Sequence, residues 1–138
     1  MRLLIVSERP ETAQRLSALL TAIGHEPHVT VVSAGDGAAI VRSVAMLAPG
    51  AILLDAPAGR QAAVLAVRTL QGDDTARWIP TVLLTEATPE PGQRWVNPQL
   101  RLDHRICMLP FHGAPNALYR LASMLHGLAP QAGEMIRH

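Results

Sequence analysis

Short apolar runs ended by polar residues alternate along the chain with longer stretches in which apolar residues recur every three or four positions. Leu3 to Val6 is the first such run, partly β-branched, and reads as a strand buried on both faces of a parallel sheet. Pro10 suits a first helical turn, Leu16, Leu19, Leu20 and Ile23 follow at helical spacing, and Gly24 supplies a stop. His28 to Val32 predicts a second strand. After the turn signal Gly35-Asp36-Gly37, residues Ile40, Val44 and Leu47 share one helical face, closed by Pro49-Gly50. Ala51 to Leu54 leads into Asp55, and Ala63, Val67 and Leu70 line a short stripe that stops at Gly72. Pro80 to Leu84 ends at Thr85 and Arg105 to Leu109 ends at Pro110, while Leu118, Leu121, Leu125 and Leu128 recur after Pro115. Strands alternating with helices imply parallel pairing and right-handed crossovers, hence an α/β, doubly wound five-stranded parallel sheet with helices on both faces.

The fourth strand–helix unit departs from this pattern. Between Glu86 and His104 lie Pro89, Pro91 and Pro98, which predict an irregular fourth helix running at most from Pro89 to Asn97, with Pro98 to His104 irregular. This segment also carries Arg94, Trp95 and Arg101, residue types frequent at binding hot spots; a tryptophan covering the core there is an equal reading. If Trp95 anchors a partner, Trp95→Ala should spare stability and weaken binding. From Ala129 the apolar pattern fades, which divides the chain into a domain at 1–128 and a polar tail or linker start at 129–138.

Composition narrows the class. A length of 138 residues suits one domain, and 49% apolar with 17% charged residues is too hydrophobic for disorder. No apolar run approaches the roughly twenty residues of a membrane span, and the short run at the N-terminus lacks a cleavage site, so a cytoplasmic protein is expected. The net charge is +1 and the basic residues are scattered, which argues against membrane or direct nucleic-acid binding by this domain. Cys107 is the only cysteine and reads as a buried, inert thiol. All twelve basic residues are arginine; the chain contains no lysine.

In an open parallel sheet, ligands bind where polar groups converge at the carboxyl ends of the strands. Those positions are Ser7 and Glu8, Asp55, Thr85, and Leu109-Pro110. Their order resembles the CheY-like receiver domain of bacterial response regulators in two-component signalling, over residues 3 to about 128. Leu4 to Pro10 is similar to that family's first strand and acidic pair, Leu53-Leu54-Asp55 to its phospho-acceptor strand, Leu83-Leu84-Thr85 to its switch strand, and Leu109-Pro110-Phe111 to its Lys-Pro-Phe turn. The resemblance implies that Asp55 is the phospho-acceptor position, Ser7 and Glu8 the acidic-pair positions and Thr85 the switch position. It also implies a magnesium ion held in part by the acidic pair, and a lysine that grips the phosphate.

The chain departs from that pattern at several points. Ser7 replaces an acid, so Glu8 and Asp55 offer only a weak metal site, and Mg2+ is not required as a cofactor. Leu109 marks the position of the missing lysine; an arginine such as Arg60 is not its equivalent. Ile106 replaces the usual aromatic switch, and the loop Ala56 to Gly59 looks shortened. The implied function is therefore a degenerate, pseudo-receiver module that binds a protein partner, with a second copy or a fused output domain among the candidates. The alternative is a working receiver phosphorylated on Asp55, and a flavodoxin-like small-molecule binder comes third. The first reading predicts no response to acetyl phosphate or beryllofluoride with magnesium. It also predicts a mild Asp55→Asn variant, because that change removes a charge repelling Glu8. Bland readings stand beside these: Asp55 as a turn former, Thr85 as a cap, Glu8 as a solvated carboxylate. His25, His28, His104, His112 and His126 lack metal-ligand spacing and read as surface or half-buried residues. No nucleophile elbow or phosphate loop is present, so an enzyme is not expected.

Overall fold

The structure, a computed structural model, describes residues 1–32, 36–55, 60–86, 106–112 and 116–136. Strands β1 (Arg2–Ser7), β2 (Glu26–Val31), β3 (Ala51–Asp55), β4 (Thr81–Glu86) and β5 (Ile106–His112) form one sheet in the order β2-β1-β3-β4-β5. Every neighbouring pair is parallel. Helices α1 (Pro10–Ala22), α2 (Gly37–Leu47), α3 (Arg60–Gly72) and α4 (Ala117–Ile136) connect or follow the strands. A 3-10 turn, Ala76–Trp78, precedes β4. The predicted doubly wound α/β architecture is therefore the one observed.

The two-residue period of a strand divides its side chains between two cores. Leu4, Val6, Ile52, Leu54 and Leu83 pack with Ile40, Val44, Ala66, Val67 and Leu70 of α2 and α3. Leu3, Ile5, Leu53, Val82, Leu84 and Leu109 pack on the other side with Ala13, Leu16 and Leu20 of α1 and Leu121 and Leu125 of α4. Central strands covered on both faces need continuous apolar runs, which is why β1 and β3 were legible from sequence. On α1 the buried stripe is narrower than the leucine spacing suggests, because Leu19 and Ile23 are exposed.

Several boundaries shift. β2 begins at Glu26, two residues earlier than predicted, because Arg2 pairs with Glu26 at the start of the ladder. β5 runs through Pro110 to His112; it is an edge strand among the described residues, where a proline without an N–H is tolerated. Thr85 pairs with Pro110 but Glu86 with His112, so Phe111 is an extra residue and the ladder is irregular there. Such a bulge re-aims the side chains that follow it. The backbone of α4 stays helical through residues 129–136, past the point where the apolar pattern fades, so the start of the expected tail is helical. Arg94, Trp95, Arg101, Pro89, Pro91, Pro98 and the loop Ala56 to Gly59 lie outside the described residues, and with them the expectation of an irregular fourth helix.

Candidate functional site

Three predicted positions meet at the carboxyl edge of the sheet. Ser7 ends β1, Asp55 ends β3 and Thr85 lies near the end of β4, and all three are buried. The structure adds two residues that the sequence did not single out as partners of Asp55: Arg9, just before α1, and His112, the last residue of β5.

Ser7 shapes the first turn after β1. Its hydroxyl donates to Asp55 Oδ2 at 2.7 Å and accepts the backbone N–H of Arg9 at 3.0 Å. Arg9 occupies the N-cap position of α1 in an extended conformation and makes no side-chain cap. Its guanidinium turns to the crevice instead. Nη2 donates to both Asp55 oxygens at 3.2 Å, and Nε lies 3.4 Å from Oδ2. From the opposite strand, His112 Nε2 lies 2.6 Å from Asp55 Oδ1. At that distance from a carboxylate oxygen, Nε2 must carry a proton, which fixes the tautomer. The Asp55 side chain is 1% exposed, His112 16% and Arg9 46%, so the carboxylate lies beneath its two cation-capable partners.

The electrostatics follow from this burial. Desolvation pushes the Asp55 carboxyl up, yet hydrogen bonds from His112 and Ser7 and the charges of His112 and Arg9 together outweigh it. The group is held below its ordinary value of 3.8. A buried carboxylate without partners would be costly; three donors make an ionised Asp55 tenable without lysine.

Of the other predicted positions, the described ones, Glu8 and Leu109, are not drawn into this cluster. Glu8 is exposed and makes no hydrogen bond or ion pair among the described residues. Leu109 packs into the core beside Leu84 and Leu125, and its carbonyl accepts a hydrogen bond from the Thr85 hydroxyl at 3.4 Å. Arg60 lies among the side chains that are not described, and Arg9 supplies the cation. The anticipated repulsion between Asp55 and Glu8 is also replaced: Asp55 faces the Arg9 guanidinium and the His112 Nε2–H, so its charge is compensated within the crevice.

The donor set does not fit magnesium as it stands. A hard divalent ion needs several oxygen ligands and bound water. Here both oxygens of the buried Asp55 carboxylate already receive N–H donors, and the neighbouring ligand is a hydroxyl that donates to that same carboxylate. Among the described residues no cluster of three or more His, Cys, Asp or Glu side chains is placed to hold a metal. The cation beside Asp55 is built into the chain.

His112 was legible only as a histidine one residue beyond the Leu-Pro-Phe signature, and Arg9 only as a cation following Ser7-Glu8. Neither spacing indicates a shared carboxylate; the crossing of β1, β3 and β5 ends does.

No protein-family model matches the chain, and no curated protein matches it. Solved structures do. The signal receiver domain of a signal transduction histidine kinase from Syntrophus aciditrophicus superposes with a TM-score of 0.67 at 22% identity, covering 92% of this chain and 88% of that one. The chemotaxis protein CheY4 of Vibrio cholerae gives 0.64 at 15% identity over 91% and 96%. The pseudo-receiver domain of the CikA protein gives 0.61 at 23% identity over 94% and 97%. The chain thus has the fold of the response-regulator receiver domains, and at the carboxyl edge of its sheet it carries a buried aspartate held by an arginine and a histidine.

Proposed function

We propose that this chain is an atypical receiver domain, a signalling module that works by binding a protein partner and whose state is not set by phosphorylation of an aspartate. The observation that carries the reading is the occupation of Asp55. An acceptor carboxylate must present a free oxygen to the incoming phosphorus beside a metal that neutralises charge. Asp55 instead has both oxygens hydrogen-bonded and is nearly inaccessible. Its role is that of an internal counter-ion tying the ends of β1, β3 and β5 together.

The partner is a protein of the same signalling system or an output domain fused to this one, and self-association is a further mode the reading admits. The kinase receiver domain described above supports the fused arrangement, since it is one part of a larger protein. Among the described residues no helix is long and apolar enough to cross a membrane.

Beryllofluoride with millimolar magnesium tests the proposal, because that complex mimics an acyl phosphate only on an accessible carboxylate. The melting temperature and amide spectrum should not change. A saturable rise in melting temperature, abolished by Asp55→Asn, would restore the alternative of a working receiver.

A further inference from the structure

The same cluster leaves one group unused. His112 Nε2 is committed to Asp55, whereas Nδ1 has no hydrogen-bond partner among the described residues. The ring keeps partial access to solvent, its side chain being 16% exposed. An imidazole whose far nitrogen is protonated and held by a carboxylate presents a lone pair on the near one, the arrangement that makes histidine a nucleophile or base. On the Nε2 side of the ring, Arg9 Nη2 lies 3.4 Å from that nitrogen, and its side chain is half exposed. A planar guanidinium beside a nucleophile favours tetrahedral oxyanions, phosphoryl groups above all.

We propose that His112, oriented by Asp55 and flanked by Arg9, is a phosphoryl-acceptor site for donors of the phosphoramidate and acyl-phosphate class. The inference rests on Asp55 acting as counter-ion rather than acceptor. In the reaction the Nδ1 lone pair attacks phosphorus and an N–P bond forms as the donor's P–N or P–O bond breaks. The leaving group, ammonia or a carboxylate, departs with the electron pair of that bond. Nε2 keeps its proton, and the positive charge gained by the ring is balanced by Asp55. Arg9 faces the phosphoryl oxygens, a place filled by a metal in sites that use one.

The test is incubation of the full chain with phosphoramidate in the presence of EDTA, followed by intact mass measurement and peptide mapping. A single phosphoryl group should appear on His112, stable in alkali and lost in acid. It should form at least about tenfold faster than on the exposed His28 and His126, and about tenfold or more slower in Arg9→Ala, as expected for removal of one charge-stabilising donor. His112→Gln, which keeps an N–H for Asp55, should abolish it. Absence of the adduct, labelling of His112 no faster than of His28 and His126, or an Arg9→Ala rate equal to wild type would overturn the inference and leave the proposed function standing. A hydroxylamine-labile adduct on Asp55 would overturn both.

Discussion

Asp55 illustrates how a residue's chemistry is decided by its neighbours. Beside a free Glu8 its charge would be a liability; between Ser7, Arg9 and His112 it is the hub of a cluster. Asp55→Asn removes a charge that two cation-capable groups face and turns an amide N–H₂ toward donors. Breaking a buried pair from one side costs about 3–5 kcal/mol; Arg9 is half exposed and can return to water, so about 2 kcal/mol is expected here. Urea denaturation should register that loss as a lower midpoint. An unchanged or raised midpoint would show that the cluster contributes nothing net to stability.

Among the elements, the contact between α2 and α3 is set by one missing methyl. Gly37 reads in sequence as a turn residue, yet a Cβ built there would lie 2.5 Å from Thr69 Oγ1, 2.6 Å from Cγ2 and 2.9 Å from Cβ. Rotating the threonine cannot clear its own Cβ, and its hydroxyl is already tied to the Leu65 carbonyl at 2.9 Å. Asp36 completes the junction by capping α2 through the Ala39 N–H. Gly37→Ala must therefore push the helices apart, with a loss of about 1–3 kcal/mol typical of overpacking, although alanine is otherwise the better helix former. Thermal unfolding at neutral pH would check this, and a stabilised variant would contradict the close approach. At β5 the equivalent decision is made by the bulge at Phe111, which separates Leu109, packed in the core, from His112 at the crevice.

For the whole molecule, stability should depend on pH in two steps. His25 is pushed below its ordinary 6.5 by burial and by the positive N-terminus, so the unfolded chain binds the proton more readily than the folded one. The contribution of neutral His25 is complete above about pH 6.5 and is lost as pH falls through the lower folded value. Asp55 is held below 3.8, so its contribution persists to lower pH and disappears as pH drops from about 4 through its depressed value. Denaturation curves across pH 3 to 8 should show both limbs, with His25→Gln flattening the upper and Asp55→Asn the lower. A single limb unaffected by either variant would refute the assignment. The sequence by itself determined the alternation of strands and helices, because doubly covered strands demand unbroken apolar runs and helices a three-to-four residue stripe. It also placed Ser7, Asp55 and Thr85 at strand ends, since polar residues terminate those runs. What only the tertiary structure decided is which cation meets Asp55. Arg9 and His112 are separated by 103 residues, and nothing in local periodicity couples them. They meet because a parallel sheet brings the carboxyl ends of β1, β3 and β5 to one edge, where a buried carboxylate needs charge compensation.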